Sequence, residues 1–141
     1  MQPRILVPYD FSPGAESALA WAVDLRRSVG GGSITLLLVV NYLPMVGIAG
    51  SMALTVPCGE DVEAAVKQLR DAAAGAATGA SLEAVIGSSV GTKVVSEAEA
   101  HNAELIVMGT HGRGVMKQLM LGSVAQYVVR HATCPVVTIR G

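Results

Sequence analysis

Short, largely apolar runs stand along this chain with helical patterns between them, and that alternation restricts the fold more than any other feature. Ile5-Leu6-Val7, Ile34 to Val40, Leu105-Ile106-Val107-Met108 and Pro135 to Ile139 are the clear runs, and Leu82 to Ile86 is a weaker one. A strand with one wet face alternates apolar and polar residues, whereas a continuous run suits a strand covered on both faces. Between the runs the apolar period lengthens to that of a helix. Ala15, Leu19, Ala22 and Val23 fall on one stripe. Val62, Ala65, Val66 and Leu69 form a second within Glu60 to Ala74, where Glu63 and Lys67 are an i,i+4 pair. Val94, Val95 and Ala98 point inward from Val90 to Ala100, and a last helix covers Ser123 to Ala132. Strands alternating with helices imply right-handed crossovers and a parallel sheet. The expected architecture is α/β: one doubly wound domain over residues 1–141, with a five-stranded parallel sheet and helices on both faces.

Local signals agree with this division. Ser12 before Pro13 reads as a helix cap followed by a proline in the first turn, and Gly30-Gly31-Gly32 ends that helix. There is no internal repeat, charge block or linker.

Composition removes several functions. Hydrophobic residues make up 51% of the chain and charged residues 15%, so a core is assured and intrinsic disorder is excluded. Ten Lys and Arg against 11 Asp and Glu leave a net charge of −1, which argues against nucleic acid as a partner. Aromatic residues, at 4%, supply no stacking platform for single strands. Cys58 and Cys134 make no disulfide framework, and no cysteine or histidine spacing resembles a zinc site. The N-terminal apolar stretch is too short for a signal-peptide core, so a reducing cytoplasm is expected. The stretch of residues 28–59 carries no formal charge over 32 positions, enough to span a bilayer. Gly30 to Gly32, Asn41, Pro44, Gly47, Gly50 and Pro57 interrupt it, and its flanks lack an interfacial belt. It reads as a buried strand followed by an apolar loop, with no membrane involved.

In an open parallel sheet, ligands bind beyond the carboxyl ends of the strands. Four segments lie there: Tyr9 to Ser12, Asn41 to Gly59, Gly87 to Gly91 and Gly109 to Gly122. The last is the densest, with Gly109-Thr110-His111-Gly112-Arg113-Gly114 followed by Gly122-Ser123 at a helix start. Glycines let backbone amides approach phosphate oxygens, and a helix N-terminus adds free N–H groups with partial positive charge. The same glycines also suit plain turns, and the residues alone leave both readings open. Neither the Gly-x-Gly-x-x-Gly fingerprint at the first turn nor a P-loop ending in Gly-Lys-Ser is present.

Gly109-x2-Gly112-x9-Gly122-Ser123 resembles the ATP-binding motif of the universal stress protein family, with both spacings intact. Ile5 to Ser12, Ile106 to Gly114, Leu121 to Ala125 and His131 to Val136 are similar to that family too, and only Asn41 to Gly59 departs from it. The resemblance implies strand order 3-2-1-4-5 and a homodimer joined through the last strand, Val136, Val137, Thr138 and Ile139. It implies ATP as ligand, with Mg or Mn. The backbone at Gly109, Gly112 and Gly122, with Ser123, would hold phosphates and ribose. Asp10 would lie near the ribose or a phosphate-bound metal, and Val39 would meet the adenine. Pro8, Tyr9, Met108, His111, Arg113 and Val124 complete the expected cofactor-binding set.

No catalytic set accompanies this cradle. No lysine stands at P-loop spacing, and no histidine precedes position 101, so the paired histidines of nucleotidyl transferases are missing. The expected role is a nucleotide-responsive regulator in stress response, acting on an unknown protein partner. Two alternatives stand beside it: a slow ATPase or other adenine-nucleotide enzyme, and a non-catalytic interaction module using the apolar 41–59 loop. His101 and His131 fall at helix ends and receive no role. Cys134 is expected to be a small buried residue and Trp21 a packing residue.

Overall fold

Strand β1 (Arg4–Pro8) runs through the middle of a parallel sheet, with every later element placed to one side of it or the other. The computed structural model describes residues 2–41, 44–46, 52–54, 59–74, 79–87, 89–111 and 121–140. After β1 come α1 (Pro13–Ser28), β2 (Ser33–Asn41), the short strands β3 (Pro44–Val46) and β4 (Met52–Leu54), and α2 (Gly59–Ala74). Then follow β5 (Ser81–Gly87), α3 (Val90–Ala100), β6 (Leu105–Gly109), α4 (Ser123–His131) and β7 (Val136–Ile139). The five long strands pair in parallel in the order β5-β2-β1-β6-β7, which is 3-2-1-4-5 within this sheet. This is the expected doubly wound α/β topology.

Alternate residues of each strand feed two cores. Ile5, Val7, Ile34, Leu36 and Val107 face α1 and α2, packing on Ala15, Ala18, Leu19, Ala22 and Leu69. Leu6, Leu37, Ile106 and Met108 face the other way, onto Val94 and Ala98 of α3 and Ala125 and Val128 of α4. Both faces of the central strands are therefore dry, which is why apolar residues run almost unbroken along Ile5 to Val7, Leu36 to Val40 and Leu105 to Met108.

Helix α1 begins as expected. The Ser12 side chain accepts a hydrogen bond of 3.2 Å from the Ala15 amide, and Pro13 follows in the first turn. Gly30, Gly31 and Gly32, all at positive φ, end it. Trp21 departs from expectation: it is 38% exposed on the outer side of α1, because the inward stripe is filled by alanines and Leu19.

Within the uncharged 28–59 stretch, the described residues include β2, inside the sheet, and the antiparallel pair β3–β4; residues 42–43, 47–51 and 55–58 of the expected apolar loop lie outside the described residues. No helix among the described residues is long and apolar enough to cross a membrane.

Candidate functional site

The carboxyl ends of β1, β2 and β6 converge with the first turns of α3 and α4 around a cleft of about 340 Å³. It lies where the sheet order reverses beside β1, the position at which open α/β sheets bind ligands. Pro8, Tyr9 and Asp10 line it from β1, and Val39 from β2. Met108, Gly109 and His111 line it from β6, and Gly122, Ser123 and Val124 from the start of α4. Gly112 and Arg113 lie outside the described residues, as does the rest of the loop to 120.

The cleft has a polar rim and an apolar floor. Gly122 is the N-cap of α4 and provides no side-chain hydrogen bond to the helix. The opening amides of α4 are thus left uncapped beside the cleft, with the positive end of the helix dipole. Ser123 stands exposed at the first helical position. Leu37, Leu38, Val39 and Val90 supply a wall suited to a flat apolar ring.

Two of the motif glycines are required by the chain itself. A β-carbon on Gly109 would stand 2.8 Å from the carbonyl carbon of Gly14, so β6 and α1 meet backbone to backbone there. A β-carbon on Gly122 would stand 2.9 Å from the Thr110 carbonyl oxygen, which accepts the Gly122 amide hydrogen at 2.7 Å. Their missing side chains point into protein, not only toward the cleft.

The β1–α1 turn is tightly organised. Asp10 Oδ1 accepts the Ser12 amide hydrogen at 3.0 Å, an Asx turn. Phe11 is held at φ 63°, the left-handed region that a bulky residue seldom occupies, at a cost of order 1–3 kcal/mol. Its ring meets Tyr9 edge-on, with centroids 5.1 Å apart at 82°. Burial pushes the Tyr9 phenol pKa above 10.0, and the nearby Glu16 and Asp10 carboxylates push the same way.

His111, just past β6, is half-buried. Its Nδ1 is hydrogen bonded to Thr110 Oγ1 at 3.0 Å, while its Nε2 is buried and has no partner among the described residues. A buried polar atom left without a partner costs about 1–3 kcal/mol.

Sequence reasoning did not assign seven of the lining residues to the site: Ser12, Ala15, Leu37, Leu38, Val90, Thr110 and Ala125. Leu37 and Leu38 carry no signal beyond their apolar character. Val90 was findable as the first residue of a helix that follows a strand.

The sequence profile of the universal stress protein family matches residues 1–140. A universal stress protein of Thermus aquaticus is 32% identical over 149 aligned positions, covering 99% of this chain and all of that one. Among solved structures, a universal stress protein in complex with cAMP superimposes with a TM-score of 0.68 at 20% identity, covering 99% of this chain and 98% of that one. An Arabidopsis thaliana family protein with AMP bound gives 0.61 at 16% identity, covering 98% and 91%. A profile match along almost the full length, a strand order of 3-2-1-4-5 and a full-length relative agree, and the chain belongs to the universal stress protein family.

Proposed function

We propose that this chain is one nucleotide-binding domain that takes ATP in the cleft and uses it as a regulator in a cytoplasmic stress response. The observation that carries this reading is the joining of an apolar wall and an uncapped helix start in one cleft, with His111 at its side. The wall formed by Leu37, Leu38 and Val39 accommodates adenine, with backbone groups of β2 reading its edge. The α4 amides and Ser123 hydroxyl face the phosphates, and His111 hydrogen bonds to the ligand. That adenine nucleotides are the ligand class is supported by the cAMP and AMP complexes of fold relatives.

Asp10 is the single carboxylate lining the described cleft. This suits Mg or Mn carried in with phosphates, since such ions take one or two protein carboxylates and complete their shell with phosphate and water. The metal would supply charge neutralisation; Asp10 would orient it. No residue of the cleft is assigned a hydrolytic role. Regulation requires ATP to favour one conformational or assembly state over another. The pairing of two chains through β7 is the assembly that the reading expects, with an unidentified protein partner downstream.

A second reading has one observation in its favour. Gly109 and Gly122 are needed by chain packing, so they would be retained in an interaction module that binds no nucleotide. Calorimetric titration with ATP and magnesium, beside AMP and cAMP, separates the two. Gly122→Val is unsuitable, because valine would strike the Thr110 carbonyl. Ser123→Asp is suitable: aspartate in a first helical turn is favourable to the helix, yet repels phosphate. We expect binding by the wild type, weakened about tenfold or more in Ser123→Asp with an unchanged melting temperature. Absence of binding by folded wild type would overturn the nucleotide reading and leave the 41–59 segment as the working surface.

A further inference from the structure

Away from the cleft, where α3 ends beside the edge strand β5, three metal-ligating side chains meet. Glu83 projects from the edge strand β5 on the face that carries α3. Glu97 and His101 are four residues apart at the end of α3, and so lie on one face of its last turn. His101 Nε2 is hydrogen bonded to Glu83 Oε2 and lies 3.5 Å from Glu97 Oε2. One donor atom from each of the three residues falls within 4.8 Å of the other two.

We propose that Glu83, Glu97 and His101 bind a divalent transition cation of the zinc type. A cation about 2.0–2.2 Å from each donor holds neighbouring donors roughly 3.3–3.6 Å apart, so the present spacing needs only side-chain adjustment. The cation replaces the direct contact between the His101 ring and Glu83. Two carboxylates with a neutral imidazole carry the charge that a 2+ ion balances, and the imidazole nitrogen distinguishes this trio from a merely acidic surface. The negative end of the α3 dipole adds attraction for a cation at the same place.

The helix end that carries two of the ligands is closed by backbone hydrogen bonds. Asn102 turns into the left-handed region at φ 51°, and α3 closes with Asn102 N–H to Glu99 O at 3.1 Å and Ala103 N–H to Ala98 O at 2.8 Å. The side chains of Glu97 and Glu83 are 17% and 27% exposed, and that of His101 is 43% exposed. The site is sheltered below and open above, where water completes the coordination shell.

The test is titration of zinc chloride into EDTA-treated full-length protein by calorimetry. Histidine ring nitrogens are followed in parallel by NMR in a chain whose only histidines are 101, 111 and 131. We expect binding of one zinc per chain, with the His101 ring nitrogen shifted and those of His111 and His131 unmoved. His101→Gln and Glu97→Gln should each weaken zinc about a hundredfold or more, beyond the 10–100-fold usual for outer-shell partners. Both variants keep the hydrogen-bonding shape and should match the wild type in circular dichroism. No zinc binding by the folded protein, or binding that survives both substitutions, overturns the proposal.

Discussion

Gly14 on α1 and Gly109 at the end of β6 touch through bare backbone, close enough that a β-carbon on Gly109 would stand 2.8 Å from the Gly14 carbonyl carbon. The neighbour is main chain in a packed layer, so it has no flexible end with which to yield. Gly109→Ala should therefore lose about 1–3 kcal/mol of stability by overpacking. A lower urea midpoint at unchanged slope would show this. A variant as stable as the wild type would mean that α1 slides away from the sheet at little cost.

Asp10 has two separable duties. Its Oδ1 holds the Ser12 amide and shapes the turn, a hydrogen bond that asparagine also accepts. Asp10→Asn should keep the melting temperature while removing most of the magnesium dependence of ATP affinity, measured by titration with and without the ion. Asp10→Ala should lose both. An asparagine variant with full magnesium dependence would place the ion elsewhere.

Alkaline pH should destabilise the fold through Tyr9. Its phenol pKa is raised above 10.0, so the folded state holds this proton more tightly than the unfolded chain does. Stability is then fully present below about pH 10 and declines as pH rises through the raised value. Cys134, whose thiol burial pushes above 9.0, adds a decline of the same sign at lower pH. The difference between wild type and Tyr9→Phe in urea midpoints from about pH 9 to about pH 11 isolates the tyrosine; parallel curves would show that Tyr9 ionises without penalty.

Strand β7 offers a clean test of pairing between chains. Ile106 N–H donates to Pro135 O and Thr110 N–H to Ile139 O, so residues 135, 137 and 139 face β6. In a parallel ladder the intervening residues, Val136 and Thr138, turn their peptide groups to the free edge. Thr138→Pro removes an outward donor while sparing the β6 ladder. Light scattering should find a wild-type dimer and a folded monomeric variant. A dimer that tolerates proline there would put the interface on another surface.

Much of this architecture was legible because the central strands are largely apolar on two faces and each helix on one. Strand order came from resemblance and not from periodicity, since nothing in β5 or β2 names its neighbour. The cleft was legible in part: Asp10, Gly109 and Ser123 fall at element ends, where chain order alone places them beyond the sheet. Leu37 and Leu38 were not, because they differ from the other core leucines only in lying where the neighbouring strand β1 ends, at Pro8. Glu97 and His101 showed their i,i+4 spacing in the sequence, but Glu83 joins them through tertiary packing. The roles of Gly109 and Gly122 were half legible. Turn, phosphate approach and backbone contact all call for glycine, and only coordinates reveal what a side chain would meet.

Helix α3 begins with Val90 in the wall of the cleft and ends at His101 in the proposed cation site. Eleven residues make it a rod of about 16 Å, short and well packed along its length. Two ligands at the ends of one rod share its position as a common variable. If zinc at the far end alters the affinity of the cleft by some factor, nucleotide must alter the affinity for zinc by that same factor. The chain would then report metal availability and nucleotide level as a product, not as two independent signals.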